Sequence, residues 1–272
     1  NALKLLNEKG EFISAQDGAN ILTIAEKDDY CFSSVDYIGK TKVDSDYINK
    51  HINMVLDLPL VDVNAIKNAE VKVAIDCVNS TGGLALPPLL KALGVKEVIE
   101  LYCEPTGEFP HNPEPLKEHL TDICKLVPEE NADLGIVVDP DVDRLAFIDE
   151  TGQMFGEEYT LVACADYVLS ENPGDTVSNL SSSRALRDIT QKHGGTYHAA
   201  AVGEVNVVTK MKEVNAVIGG EGNGGIIYPE SHYGRDALVG VALFLTHLAK
   251  KKIKVSELRA SYPAYFMSKN KI

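Results

Sequence analysis

The sequence predicts an α/β fold: two consecutive α/β domains with mixed sheets flanked by helices. From about Val71 onward, short β-branched runs alternate with helical stretches, and the cycle restarts after Phe155. A length of 272 residues fits about two domains of roughly 100–200 residues each. In order, Val71–Cys77 reads as a strand, Asn79–Gly83 as a turn, and Leu84–Leu93 as a helix stopped at Gly94. Glu97–Tyr102 follows as a strand. Glu104–Pro115, with its prolines, reads as a loop before a helix over Leu116–Leu126. Leu134–Val138 and Leu145–Asp149 read as strands joined by an acidic loop. In the second half, Glu157–Leu169, Arg184–Lys192 and Val205–Lys212 read as helices, Thr176–Leu180 and Ala216–Ile218 as strands, and Asp236–Lys250 as an amphipathic helix. A boundary is expected near Gln153. Residues 1–40 fit neither unit and start abruptly, as though a preceding domain had been removed.

Composition narrows the function. Forty acidic against 26 basic residues give a formal charge of −14, which argues against a nucleic-acid or anionic-membrane partner. Cys31, Cys77, Cys103, Cys124 and Cys164 are odd in number and contain no CxxC pair, so reduced thiols are expected rather than a disulfide framework or zinc ribbon. With no apolar run of about 18 residues and no secretory leader at Asn1, a cytoplasmic setting is expected.

The most informative segment is Asp139-Pro140-Asp141-Val142-Asp143-Arg144. In an extended backbone, residues at i, i+2 and i+4 share a side, so Asp139, Asp141 and Asp143 are expected to converge on one ion. Oxygen-only ligands favour Mg²⁺, Mn²⁺ or Ca²⁺. Carboxylates so close repel unless a cation lies between them. Pro140 holds Asp139 away from helical geometry. Counted from Asp139, the loop also places Glu150 at the twelfth position of a calcium-binding EF-hand, so a calcium-binding module is the alternative of another class. That pattern needs glycine where Arg144 stands, and helices where strands are expected.

The second informative segment is Gly219-Gly220-Glu221-Gly222-Asn223-Gly224-Gly225. It satisfies the spacing of a dinucleotide loop but runs into Ile226-Ile227-Tyr228-Pro229, which reads as a strand and not the helix that such a site needs. A loop whose backbone at Gly220 and Gly222 comes close to a small polar ligand is the better reading. Glu221 and Asn223 then lie on one side to bind adjacent hydroxyls, as a sugar ring offers. Downstream, Asp236 reads as the N-cap of the long helix, while Arg235 could serve either helix or site.

The acidic loop, the glycine loop and the opening Asn1-Ala2-Leu3-Lys4 together resemble the α-D-phosphohexomutase family, which includes phosphoglucomutase, phosphomannomutase and phosphoglucosamine mutase. Cys103-Glu104-Pro105-Thr106-Gly107-Glu108-Phe109-Pro110 and Asn131-Ala132-Asp133-Leu134-Gly135-Ile136 support it. The resemblance implies a four-domain, Mg²⁺-dependent enzyme that moves a phosphoryl group between the 1- and 6-oxygens of a hexose phosphate. The route runs through a hexose 1,6-bisphosphate intermediate with phosphoserine as donor. It implies Asp139, Asp141 and Asp143 as metal ligands, Arg144 as stabiliser of the transferring phosphoryl, and Gly220, Glu221, Gly222 and Asn223 as the sugar loop. Lys4 is implied as general acid or base. Many relatives carry Ser in place of Asn223 and His in place of Gly225; without that imidazole, weight shifts to Lys4. The family's serine motif and its phosphate-clamping loop would lie before Asn1 and after Ile272. The chain is therefore expected to comprise the end of a first domain (1–40), a metal-loop domain (41–153), a sugar-loop domain (154–265) and a linker (266–272), and to be inactive alone.

Overall fold

The structure, a computed structural model, describes residues 4–266. The chain divides into two compact units, Asn1–Tyr47 and Ile48–Ile272. The first carries helix α1 (Ala15–Glu26) and a short 3-10 turn at Val35–Tyr37. Ser14 and Asp17 cap α1 reciprocally: Asp17 N donates to Ser14 Oγ at 3.1 Å and Ser14 N to Asp17 Oδ2 at 3.2 Å. Asn1–Leu3 and the expected linker beyond Phe266 lie outside the described residues.

The second unit is α/β, as expected. After α2 (Tyr47–Leu56) and α3 (Val63–Ala69) come β1 (Lys72–Asp76), α4 (Gly82–Ala92), β2 (Glu97–Leu101), α5 (Thr121–Glu129), β3 (Leu134–Val138) and β4 (Leu145–Asp149). The cycle then repeats with α6 (Glu157–Glu171), β5 (Thr176–Asn179), α7 (Ala185–Lys192), β6 (Tyr197–Ala200), α8 (Glu204–Val214), β7 (Ile218–Glu221) and β8 (Gly225–Ile227), followed by α9 (Ala237–Lys251) and α10 (Val255–Ala260). Two four-stranded sheets result, ordered β2-β1-β3-β4 and β6-β5-β7-β8. In each, three strands are parallel and the last turns back antiparallel, Val138 opposite Leu145 in one and Glu221 opposite Gly225 in the other. The acidic loop and the glycine loop therefore occupy the same topological position in the two sheets.

Strand alternation sorts the core. Leu134, Ile136, Val138, Leu145 and Phe147 face the large apolar cluster shared with α6 and α9, while Val137, Ala146 and Ile148 face α5. Phe147 stacks on Phe244 of α9, ring centroids 3.8 Å apart. On the second sheet, Val177, Ala200 and Ile227 pack with Val207, Val208 and Met211 of α8.

Several elements depart from the sequence reading. Helix α9 is not amphipathic: every residue from Ala237 to Ala249 is buried, because the helix packs against α6 and both sheets. The helix expected at Leu116 begins at Thr121, and Leu116–Leu120 makes turns instead. The strand expected at Ala216–Ile218 lies at Ile218–Glu221, so Gly219 and Gly220 are strand residues. Their flatness is required: a Cβ on Gly219 would sit 2.5 Å from Met211 Sδ, and one on Gly220 would sit 2.0 Å from the Gly225 carbonyl oxygen.

Asp236 caps α9, accepting from Val239 N at 3.1 Å, and its other oxygen accepts from His51 Nε2 at 2.8 Å and His232 Nε2 at 2.9 Å. The Asp236 hydrogen bond holds His51 above the ordinary histidine value of 6.5. Burial pushes the Asp236 carboxyl up, but the two imidazoles overcome it and hold it below 3.8. The His51 contribution to stability is thus fully present below pH 6.5 and lost as pH rises through the raised value; the Asp236 contribution is present above 3.8 and lost as pH falls through the depressed one. We expect the melting temperature to fall as pH rises above the ordinary histidine value of 6.5, and the fall to be shallower in His51→Ala, as scanning calorimetry across pH would show. An unchanged slope in the variant contradicts this.

Candidate functional site

The acidic loop closes the β3–β4 hairpin, and its carboxylates meet by a turn, not by strand alternation. Asp139 Oδ1 accepts the backbone N–H groups of Asp143 at 3.0 Å and Arg144 at 3.1 Å, and Val142 N donates to the Asp139 carbonyl at 3.1 Å. Val142 takes a left-handed conformation with φ of 60°, costly for a β-branched residue. From the neighbouring β1–α4 loop, Ser80 and Thr81 hydroxyls donate to the Pro140 carbonyl at 3.0 and 2.6 Å. Asp139, Asp141 and Asp143 each present an oxygen within 4.8 Å of the others. A hard cation with ligand distances of about 2.0–2.6 Å spans such a gap. Burial first, then the charges of Asp143 and Asp141, push the Asp139 carboxyl up to about 7. A divalent ion fits this set: the donors are oxygens only, and they are crowded.

Arg144 stands beside the triad, its Nε 3.8 Å from Asp139 Oδ2 and its Nη1 donating to Glu114 Oε1 at 3.4 Å. Glu150, the twelfth residue of the alternative calcium loop, points elsewhere: it accepts from Ser256 at the start of α10. Strands flank the loop on both sides, so the EF-hand reading fails.

The glycine loop is a β7–β8 hairpin turn, which also removes the dinucleotide reading. Glu221 is buried, 5% exposed, and both its oxygens are engaged. Oε1 accepts from Asn179 Nδ2 at 2.8 Å and Gly203 N at 3.3 Å; Oε2 accepts from Arg235 Nη1 at 2.8 Å and Asn223 Nδ2 at 3.4 Å. A sugar hydroxyl at Glu221 would displace the longest of these, the Asn223 contact. The close approach expected at Gly220 and Gly222 is to the chain itself: a Cβ on Gly222 would lie 2.9 Å from Ser182 Oγ, and Gly220 abuts the Gly225 carbonyl. Lys4 belongs to the first unit and its side chain is exposed.

The two hairpins touch: Leu145 N at the start of β4 donates to the Gly224 carbonyl at 3.1 Å, while Ala237 N at the start of α9 donates to the Val142 carbonyl of the acidic loop at 3.1 Å. Arg235, undecided from sequence, bridges them: its guanidinium donates to Asp143, to Glu221 and to Glu204 Oε2 at 2.9 Å. Burial opposes its charge, but Asp143, Glu204 and Glu221 raise its pKa above the ordinary arginine value. Sequence reasoning gave neither Glu204 nor Asn179 a part in the site: Asn179 stands out only as the start of a glycosylation-like triplet, Asn179-Leu180-Ser181, and only the meeting of helix and strand ends brings the two to Glu221 and Arg235.

Two family descriptions match the chain: phosphoglucomutase/phosphomannomutase α/β/α domain II over residues 45–152 and domain III over residues 156–265. A phosphoglucomutase/phosphomannomutase of Thermococcus kodakarensis is 35% identical over 273 aligned positions, 100% of this chain and 59% of that protein. A probable phosphoglucosamine mutase of Methanopyrus kandleri is 30% identical over 97% of this chain and 58% of its own length. Among solved structures, a phosphoglucomutase/phosphomannomutase family protein of Burkholderia thailandensis superposes with a TM-score of 0.79 at 26% identity, covering 93% of this chain and 53% of that one. The chain thus spans a little over half the length of the relatives it matches.

The contact between the loops predicts a contrast among glycines. Gly224 has φ of +89° and a Cβ there would lie 2.3 Å from the Leu145 carbonyl oxygen, whereas Gly194 has φ of +81° and open space. We expect Gly194→Ala to cost about 1–2 kcal/mol from backbone strain alone, and Gly224→Ala to cost a further ~1–3 kcal/mol from the clash, as urea unfolding midpoints would report. Equal costs contradict the tight contact.

Proposed function

This chain belongs to the α-D-phosphohexomutase family, and from that premise we propose that the protein carrying it is a Mg²⁺-dependent mutase moving a phosphoryl group between the 1- and 6-positions of a hexose phosphate. The observation that supports this best is the convergence of Asp139, Asp141 and Asp143 within 4.8 Å on a loop hydrogen-bonded to the glycine hairpin. Bound there, Mg²⁺ would supply charge neutralisation at the phosphoryl oxygens. The three aspartates would hold it, and Arg144 would donate to the phosphoryl oxygens as charge develops on them. Glu221 and Asn223 would orient neighbouring sugar hydroxyls, with Gly220 and Gly222 letting the sugar loop pack tightly enough to present them. Lys4 would move a proton to or from the sugar oxygen. The phosphoserine donor and the anchor for the distal phosphate would come from outside this chain, and the hexose 1,6-bisphosphate would be the intermediate.

Glucose and mannose phosphates are the proposed substrates, in keeping with the Thermococcus relative; glucosamine phosphate is the second reading, favoured by the Methanopyrus relative. Among the described residues no helix is long and apolar enough to cross a membrane, and all five cysteines are free, which suits a reducing cytoplasm.

In the intact protein, Asp141→Asn is expected to lower kcat at least about a hundredfold, while Cys103→Ala stays near wild type in a coupled assay with glucose 1,6-bisphosphate present. The isolated chain is expected to show no turnover, since remote binding energy and the donor are both lost. Equal losses in the two variants would reduce the aspartates to a structural role, and turnover by the chain alone would remove the need for an external donor.

A further inference from the structure

Arg235 is neither a ligand of the triad nor, on the reading above, a sugar contact, yet it joins the two sites. Its guanidinium is only 12% exposed and meets three acidic side chains from three elements, each 14% exposed or less. Nη2 donates to Asp143 Oδ2, Nη1 to Glu221 Oε2 at 2.8 Å and Nε to Glu204 Oε2 at 2.9 Å; the Arg235 backbone N–H adds a bond to Glu204 Oε1 at 3.1 Å. Only a planar fork with fixed donor directions can do this. A lysine ammonium is a compact point charge that could pair with one or two of the three. The arginine stem also explains a glycine. A Cβ on Gly225 would lie 2.3 Å from Arg235 Cδ and 3.0 Å from Cγ, so a side chain at 225 and Arg235 in this position exclude one another.

We propose that Arg235 is a positioning residue that sets the metal loop and the sugar loop together: it holds the Asp143 carboxylate through Oδ2, and it fixes the Glu221 carboxylate at the head of the glycine turn. Gly225 is the residue that gives it room. The inference rests on the reading of Asp139, Asp141 and Asp143 as a divalent-cation site, and it is independent of which hexose is turned over. Groups that orient metal ligands typically hold 10–100-fold of the affinity. Arg235→Lys separates geometry from charge, because it keeps the cation and removes the fork.

The test is Mn²⁺ titration of the intact protein followed by electron paramagnetic resonance, with thermal unfolding measured alongside, on wild type, Arg235→Lys, Gly225→Ala and the double variant. Each single variant is expected to bind Mn²⁺ about tenfold more weakly, and the double variant no worse than either single, because both changes break one arrangement. In wild type, which carries no folding risk, Mn²⁺ is expected to slow amide hydrogen exchange at Gly222–Gly225 as well as at Asp141–Arg144. A purely structural arginine would lower the melting temperature of Arg235→Lys while leaving Mn²⁺ affinity at the wild-type value; that result, or Mn²⁺ protection confined to the acidic loop, overturns the inference. If wild type binds no Mn²⁺, the cation-site reading itself fails, and the two failures are thereby told apart.

Discussion

Charge compensation at the meeting point of two hairpins is the constraint on which the structure depends. Asp139, Asp143, Glu204 and Glu221 are buried or nearly so, and carboxylates taken out of water need a partner cation or must give up their charge. Arg235 answers three of them. Asp139 is answered by two backbone N–H groups and by Arg144 Nε at 3.8 Å, but burial and the charges of Asp143 and Asp141 outweigh them and push its carboxyl up to about 7. The acidic loop gathers three carboxylates within 4.8 Å, and a divalent ion there would complete the balance.

The fold supplies that meeting point by using one topology twice. Both sheets place three parallel strands and then reverse, so each offers one tight hairpin turn at the same end of the same strand position. The buried helices α6 and α9 pack on each other and on both sheets, which fixes the hairpins against one another. A backbone bond from Leu145 to Gly224 then closes the gap. Chemistry is divided between the copies: acidic side chains on one turn, backbone and a paired carboxylate on the other.

Much of this was legible in the sequence where local signals suffice. Strands β3 and β4 lie where apolar runs bounded by charge predict them, and the acidic triplet does gather its oxygens. The reason it does so was not legible: a left-handed Val142 folds the loop, where extended alternation had been expected. Gly219 and Gly220 read as loop because glycine weakens a strand, yet they are strand residues whose missing side chains admit Met211 and the Gly225 carbonyl. Strand β6, Tyr197-His198-Ala199-Ala200, has no alternation to announce it and exists through parallel pairing with β5. Helix α9 carries enough Thr, His and Gly to look two-faced, and only its place between two sheets makes it buried all round. Arg235 shows the same limit at the site: its partners lie on a loop, a helix start and a strand end far apart in the chain, and no spacing rule connects them.

The most direct test of the central claim is crystallographic. Crystals of the intact protein grown with Mn²⁺ and measured at the manganese absorption edge should show one strong anomalous peak within about 2.2 Å of oxygens from Asp139, Asp141 and Asp143. The Leu145–Gly224 bond should remain closed beside it. An anomalous peak elsewhere, or none at those three carboxylates under saturating Mn²⁺, would contradict the account.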